Sequence, residues 1–246
     1  MSAPNSVYLW LGGPIQSWAA GRMTGNRVDT VPIPTRSGLE GLIGAAHGWA
    51  YGHKEPWIKD VAMRVRVDNP GVLGEDFQTI NPMPEHIQEI RGRYHQARTG
   101  KRASKTMLAH TPDGQSKTAI VRRTYLQGAA FIVEAGGVPD VEHFAYAMAH
   151  PMFPLVLGKQ AFNAGRVLIG AGEAGQLATL PRLEAGSNDS WWDEVEGEVT
   201  LPIYDVDVDV PFPTPHPVEV VTVPTVSERF PRARALTKHL TIGGWK

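Results

Sequence analysis

The densest run of chemistry-bearing side chains is RGRYHQARTGKRASK, where Arg91, Arg93, Arg98, Lys101, Arg102 and Lys105 surround Tyr94 and His95. From Pro82 to Arg123, which takes in His110, Arg122 and Arg123, nine Lys/Arg stand against three acids (Glu85, Glu89, Asp113), a net of +6. Side chains of this kind hold phosphates, and two rings among them add stacking surface. The same composition also describes a solvated loop. With few large apolar residues the stretch cannot bury a core of its own, so it reads as a long insertion or an extended hairpin.

A second candidate is the helix start in PIPTRSGLEGLIGAA, Pro32 to Ala46. Ser37 and Glu40 have capping-box spacing, and Thr35, Arg36 and Ser37 stand where free amides favour an anion. Neither a G-x-x-x-x-G-K-[ST] loop nor a G-x-G-x-x-G after the first strand is present, and no G-x-S-x-G occurs. The nine histidines (His47, His53, His86, His95, His110, His143, His150, His216, His239) show no compact metal-ligand spacing. Asp205, Asp207 and Asp209 alternate with valines, the period of a strand's solvent face rather than of a metal loop. No metal or cofactor is implied.

The elements that must position these residues alternate between strands and few helices. SVYLWLGG reads as a buried first strand, followed by the polar loop QSWAAGRMTGNRVDTVPIPT. In the helix that follows, Leu39, Leu42, Ile43, Ala46 and Trp49 form an apolar face, while Gly41, Gly44, Ala45 and Gly48 form a face almost without side chains. Each mid-helix glycine costs roughly 0.5–1 kcal/mol against alanine, so close approach of a sheet or a partner is expected there. Met63, Val65 and Val67 alternate with Arg64 and Arg66, predicting a strand with one buried and one wet, basic face. AIVRRTYLQGAAFIVEAGG returns to strand character with a turn at Gln127-Gly128, and Asp140 caps a short helix.

The chain has 246 residues, enough for one large domain or two small ones, with 42% hydrophobic and 20% charged residues. The formal net charge of −1 excludes a generic polyanion binder and requires a local patch for any nucleic-acid role. Charge is segregated: Leu183 to Glu228 holds eleven acids and no Lys or Arg, and Arg229 to Lys246 holds five Lys/Arg and no acid. The absence of cysteine excludes disulfides and thiolate chemistry and fits the cytoplasm. No signal peptide or membrane span is expected.

LWLGGPIQSWAAG, PIPTRSGLEGLIGAAHG, EDFQTINP and RRTYLQGAAFIVEA occur in the order and spacing of the CasD-type subunit of the type I-E CRISPR Cascade complex, a RAMP-superfamily protein, which this sequence resembles over its N-terminal two-thirds. The C-terminal third is similar mainly in FPRARALTKHLTIGG, and of the family's basic LGRR near LVLGKQAFNAG only Lys159 remains. The resemblance implies an α/β (α+β) chain: a ferredoxin-like, RRM-like RAMP domain over 1–81 and 117–150, a basic β-hairpin thumb at 82–116, and a smaller β-rich C-terminal region at 151–246. It implies a non-catalytic subunit that caps the 5′ handle of the CRISPR RNA (crRNA), contacts the backbone and large subunits, and meets target DNA only indirectly. The residues expected on RNA are then Gln16, Trp18, Arg22, Thr35, Arg36, Ser37, Arg91, Arg93, Arg98, Lys101, Arg102, Lys105, His110, Arg122 and Arg123. The acidic segment is expected to face away from RNA.

Two other readings stay open. Type I-C relatives cleave the repeat RNA without metal, and His47, His110, Tyr94 and Lys105 would be the groups to do so here. Alternatively, the basic insertion binds an acidic protein and the chain is a scaffold that holds no RNA.

Overall fold

The computed structural model describes residues 4–18, 27–50, 52–80, 84–104, 119–185, 194–206, 216–228, 234–240 and 242–243. β1 (Ser6–Gly12), α1 (Arg36–His47), β4 (Ala62–Asn69), β7 (Ala130–Gly136), α3 (Val141–Ala149) and β8 (Leu168–Gly172) form a βαββαβ unit. Its strands pair antiparallel in the order β8-β1-β7-β4, the ferredoxin-like arrangement. β1 is apolar along nearly its whole length because both of its faces are covered, as a central strand's must be.

One face carries α1 and α3. Leu39, Leu42, Ile43 and Ala46 of α1, and Phe144, Ala145 and Met148 of α3, close over Val7, Leu9, Val65 and Val133. The other face has its own core, with Tyr8, Ile132 and Ile169 packed against Leu177, Leu180, Leu201, Val223 and Leu236. The wet, basic face expected for β4 is therefore corrected. Arg66 is fully buried, paired with Asp68 at 2.6 Å and donating to the carbonyls of Leu177, Leu180 and Pro181. Arg64 is held by Asp205 and Glu219 of the acidic segment.

β10 (Glu194–Asp205), β11 (Glu219–Glu228) and β9 (Arg182–Ala185) extend the sheet beyond β4, and β12 (Ile242–Gly243) adds to the β8 edge, giving eight strands. A boundary at residue 150 cuts through this unit, because β8 is its fourth strand. The C-terminal residues thus complete the ferredoxin-like sheet and enlarge it. Among the described residues, no helix is long and apolar enough to cross a membrane.

The central strands β4 and β7 continue past the sheet as a second hairpin. β5 (Val72–Ile80) pairs with β6 (Ala119–Gln127) from Val72↔Gln127 to Ile80↔Ala119. The chain bends at Gly71 (φ +70°) and Gly128 (φ +64°), and a Cβ on Gly71 would stand 2.6 Å from the Gln127 carbonyl. β2 (Ile15–Gln16) and β3 (Arg27–Val28) line the other edge of β6. The described hairpin strands β5 and β6 thus flank the 82–116 insertion. The insertion itself opens with α2 (Glu85–Thr99), which has Glu85 in its first turn, Arg98 in its last, an Arg93–Glu89 pair at 3.3 Å, and Gly100 in the left-handed conformation as its C-cap. No side chain of α2 is buried. A helix here was not legible from apolar periodicity, because none of its side chains is buried.

Candidate nucleic-acid interface

The N-terminus of α1 is capped by Thr35, whose hydroxyl accepts the Gly38 amide at 3.3 Å. This replaces the Ser37–Glu40 box expected from the sequence: Ser37 lies inside the first turn, and Glu40 instead binds Arg36 at 2.9 Å and Lys54. Burial alone would raise the Glu40 carboxyl, but hydrogen bonds from Lys54 and Arg36 bring it below its ordinary value. Arg36 is buried, donating to Glu40 and to the carbonyls of Val61 (2.7 Å), Ile58 (2.6 Å) and Lys59 (3.3 Å). Its donors are committed to the fold, which corrects its expected place on RNA.

Gln16 is corrected in the same way. It is fully buried, donates to the Leu11 and Ala129 carbonyls, and accepts the Trp18 indole N–H at 3.2 Å. The Gln-x-Trp pair is architectural: Gln16 ties the end of β1 to the β6–β7 turn and fixes the Trp18 ring. That ring lies against Gly38, where a Cβ would stand 2.9 Å from it.

Around the Trp18 ring opens a cleft of about 320 Å³. Thr35, Ser37 and Gly38 form one wall, Arg123, Thr124 and Tyr125 of β6 another, and Gly158, Lys159 and Phe162 the third. The third wall is a tight turn in which Val156 bridges Asn163 and the Leu157 amide donates to the Phe162 carbonyl. It closes on Ser17, whose amide donates to the Leu157 carbonyl at 3.0 Å. Gly158 (φ +89°) allows this, since a Cβ there would overlap the Ser17 carbonyl oxygen.

The electrostatics of the cleft call for an anion. Arg123 Nε is buried and, among the described residues, has no hydrogen-bond partner. Burial, and next the Arg123 charge, push the Lys159 ammonium below its ordinary value, while Asp76 opposes them. Two cations that repel one another, with hydroxyls and first-turn amides beside them, bind a phosphate oxygen well. Hydrogen bonds to charged groups contribute ~1.5–3 kcal/mol against ~1 for neutral ones, so Arg123 and Lys159 dominate over Thr35 and Ser37. Phe162, under Lys159 Nζ at 5.6 Å, and Tyr125 add ring surface.

Of the residues singled out in the sequence, the cleft thus gathers Trp18, Thr35, Ser37 and Arg123. Arg122 is exposed, 5.9 Å over the Phe77 ring and 3.8 Å from Glu75. Arg91, Arg93 and Arg98 lie on α2, with Lys101 and Arg102 just beyond it. Arg22, Lys105 and His110 lie outside the described residues. Lys159, Thr124, Tyr125 and Phe162 complete the site. The only sequence signal for the third wall is the Gly158-Lys159 pair in an otherwise uncharged run.

His47 sits at the other end of α1, about 18 Å away for a 12-residue helix. Its ring contacts Trp49, Trp57, His143 and Phe144. Burial is the main cause that pushes its pKa down.

The family model described as CRISPR-associated protein (Cas_Cas5) matches residues 6–212, and the chain belongs to this family. A solved chain of a CRISPR RNA-guided surveillance complex is similar to it at 25% identity, with 90% of each chain covered and a TM-score of 0.59. A crystal structure of a Cas protein is similar at 23% identity, covering 98% of this chain and 100% of that one, with a TM-score of 0.48. Comparison with curated proteins finds no match. The fold is the RAMP-like Cas5 fold, and the α+β class expected from the sequence holds.

Proposed function

We propose that this Cas5 protein is a non-catalytic, cytoplasmic subunit of a type I-E CRISPR surveillance complex, and that its cleft holds the 5′ handle of the crRNA. The observation that carries this reading is the Arg123 Nε, without a partner among the described residues, in one cleft with Lys159 at the α1 N-terminus. A single strand with splayed bases suits such a place, because phosphates meet the cations and bases meet the rings. Membership in the family and likeness to a surveillance-complex chain support assembly with a backbone and a large subunit. The type I-E assignment rests on the wording of the GPIQSW and PTRSGLEGLIGA blocks. α2 and the basic residues after it extend along the RNA.

The experiment is equilibrium binding of an RNA bearing the host's repeat-derived 5′ end, against the same RNA with that end scrambled. Preference for the native end supports the handle role; equal affinity contradicts it.

The matching model carries the label Cas_Cas5d, the type I-C subunit, and this favours a second reading as a repeat endonuclease. Against it, the His47 ring lies among Trp49, Trp57, His143 and Phe144, far along α1 from the cationic cleft. Metal-independent cleavage of repeat RNA that is lost in His47→Ala would establish the second reading.

A further inference from the structure

The far end of α1 builds a second cavity, of about 420 Å³, with the opposite chemistry. Gly44 creates room for it. A Cβ there would stand 2.8 Å from the Trp49 ring, so the missing side chain seats Trp49 on the helix. Trp49 and Trp57 meet edge to face at 5.6 Å, and His47 lies 5.6 and 5.7 Å from them. Glu55 and Asp140 also line it, and among the described residues no lysine or arginine does.

Two features select a cation. The faces of Trp49 and Trp57 carry negative potential. The two carboxylates are uncompensated by any Lys or Arg of the lining, the His53–Glu55 contact being half-exposed at 3.3 Å. The negative end of α1 is offset here by the positive first turn of α3, which Asp140 caps. A third feature selects an N–H donor. His47 Nδ1 lies 2.9 Å from the Ile43 carbonyl, which can only accept, so Nδ1 carries the proton. Neutral His47 then has a bare lone pair on Nε2, which is buried and, among the described residues, unpartnered.

We propose that this pocket receives an arginine side chain from a protein partner. A guanidinium is planar, stacks on indole faces, and presents five N–H donors in a fixed fork to carboxylates and an imidazole nitrogen, whereas an ammonium has three rotating donors and no plane to stack. A phosphate would be repelled by the Glu55 and Asp140 carboxylates. The chain therefore has two unlike ends on one helix, an anion cleft at the start of α1 and a cation pocket at its finish. The second is a protein-docking point independent of RNA.

The test follows the seven Trp indole N–H signals of the full-length protein by NMR, with Trp49 and Trp57 assigned through their Phe variants. The probe is capped Gly-Arg-Gly; its citrulline analogue is the neutral control, and a hexauridylate represents RNA. Expected are saturable shifts of the Trp49 and Trp57 signals with the arginine peptide, weakened roughly three- to tenfold by Glu55→Gln. The same loss is expected for Asp140→Asn, which keeps the α3 cap while removing the charge. Absence of shifts at these two indoles, an equal response to citrulline, unchanged affinity in both variants, or a response to hexauridylate would overturn the proposal.

Discussion

Gly38 lies directly against the ring of Trp18, so close that a Cβ would stand 2.9 Å from it, and the ring is in turn fixed through its N–H by Gln16. Close packing at the start of α1 therefore builds the floor of the cationic cleft. The glycines of this helix are not equivalent. Gly38 seats Trp18, Gly44 seats Trp49, Gly48 (φ +73°) caps, and Gly41 faces open space.

This division predicts opposite signs within one helix. Gly41→Ala should stabilise by about 0.5–1 kcal/mol, the ordinary helix-interior difference. Gly38→Ala and Gly44→Ala should destabilise by about 1–3 kcal/mol through forced movement of Trp18 and Trp49. Urea denaturation of the three variants measures this; one sign for all three would contradict it.

Arg36→Ala should behave as a folding defect. It leaves Glu40 with its buried charge half-compensated and the Ile58 and Val61 carbonyls without their donor. Breaking a buried pair costs ~3–5 kcal/mol. A fall of that size in unfolding free energy, with the surviving folded protein binding RNA normally, is expected. Unchanged stability with weakened RNA binding would return Arg36 to the interface.

Arg123→Ala with Lys159→Ala should weaken RNA binding about tenfold or more and make the log–log salt slope shallower by ~1.4, two single-strand phosphate contacts. Fluorescence anisotropy across a salt series reads both. Charge reversal at Arg91, Arg93, Lys101 and Arg102 should flatten the slope further with little change in melting temperature, since none of the four side chains is buried. An unchanged slope in the first variant would remove the cleft from the RNA path.

His47 gives a pH dependence of stability. Burial lowers its pKa in the folded state, so the unfolded chain takes up the proton first. Stability is then full above the ordinary imidazole value of ~6.5 and is lost as pH falls below it. Glu40, lowered in the fold, adds a further loss only in the carboxylate range. Urea midpoints between about pH 7.5 and 5.5 should fall for the wild type and fall less for His47→Gln; identical slopes would contradict this assignment.

What the sequence showed and what it hid divide along physical lines. The strand β1, the apolar face of α1, the Asp140 cap and the Gly128 turn follow from local periodicity and turn chemistry, and all are present. Arg66 was illegible, because alternation with valines marks a face but not what covers it; Leu177, Leu180 and Pro181 arrive from more than a hundred residues away. Arg36 and Gln16 were legible as important but not in kind, since a buried polar residue and a ligand contact look alike in one dimension. Lys159 joins the site only because Gly158 lets its turn close on Ser17, a long-range contact that no local pattern records.

The most direct measurement is to tag the protein in its native host, purify it gently, and sequence the RNA bound to the wild type and to the Arg123→Ala/Lys159→Ala variant. The handle-binding role predicts short RNAs that share one repeat-derived 5′ end, followed by varied spacers, with the wild type, and their depletion with the variant. No enriched RNA with the wild type, or the same RNA retained equally by both, would contradict it.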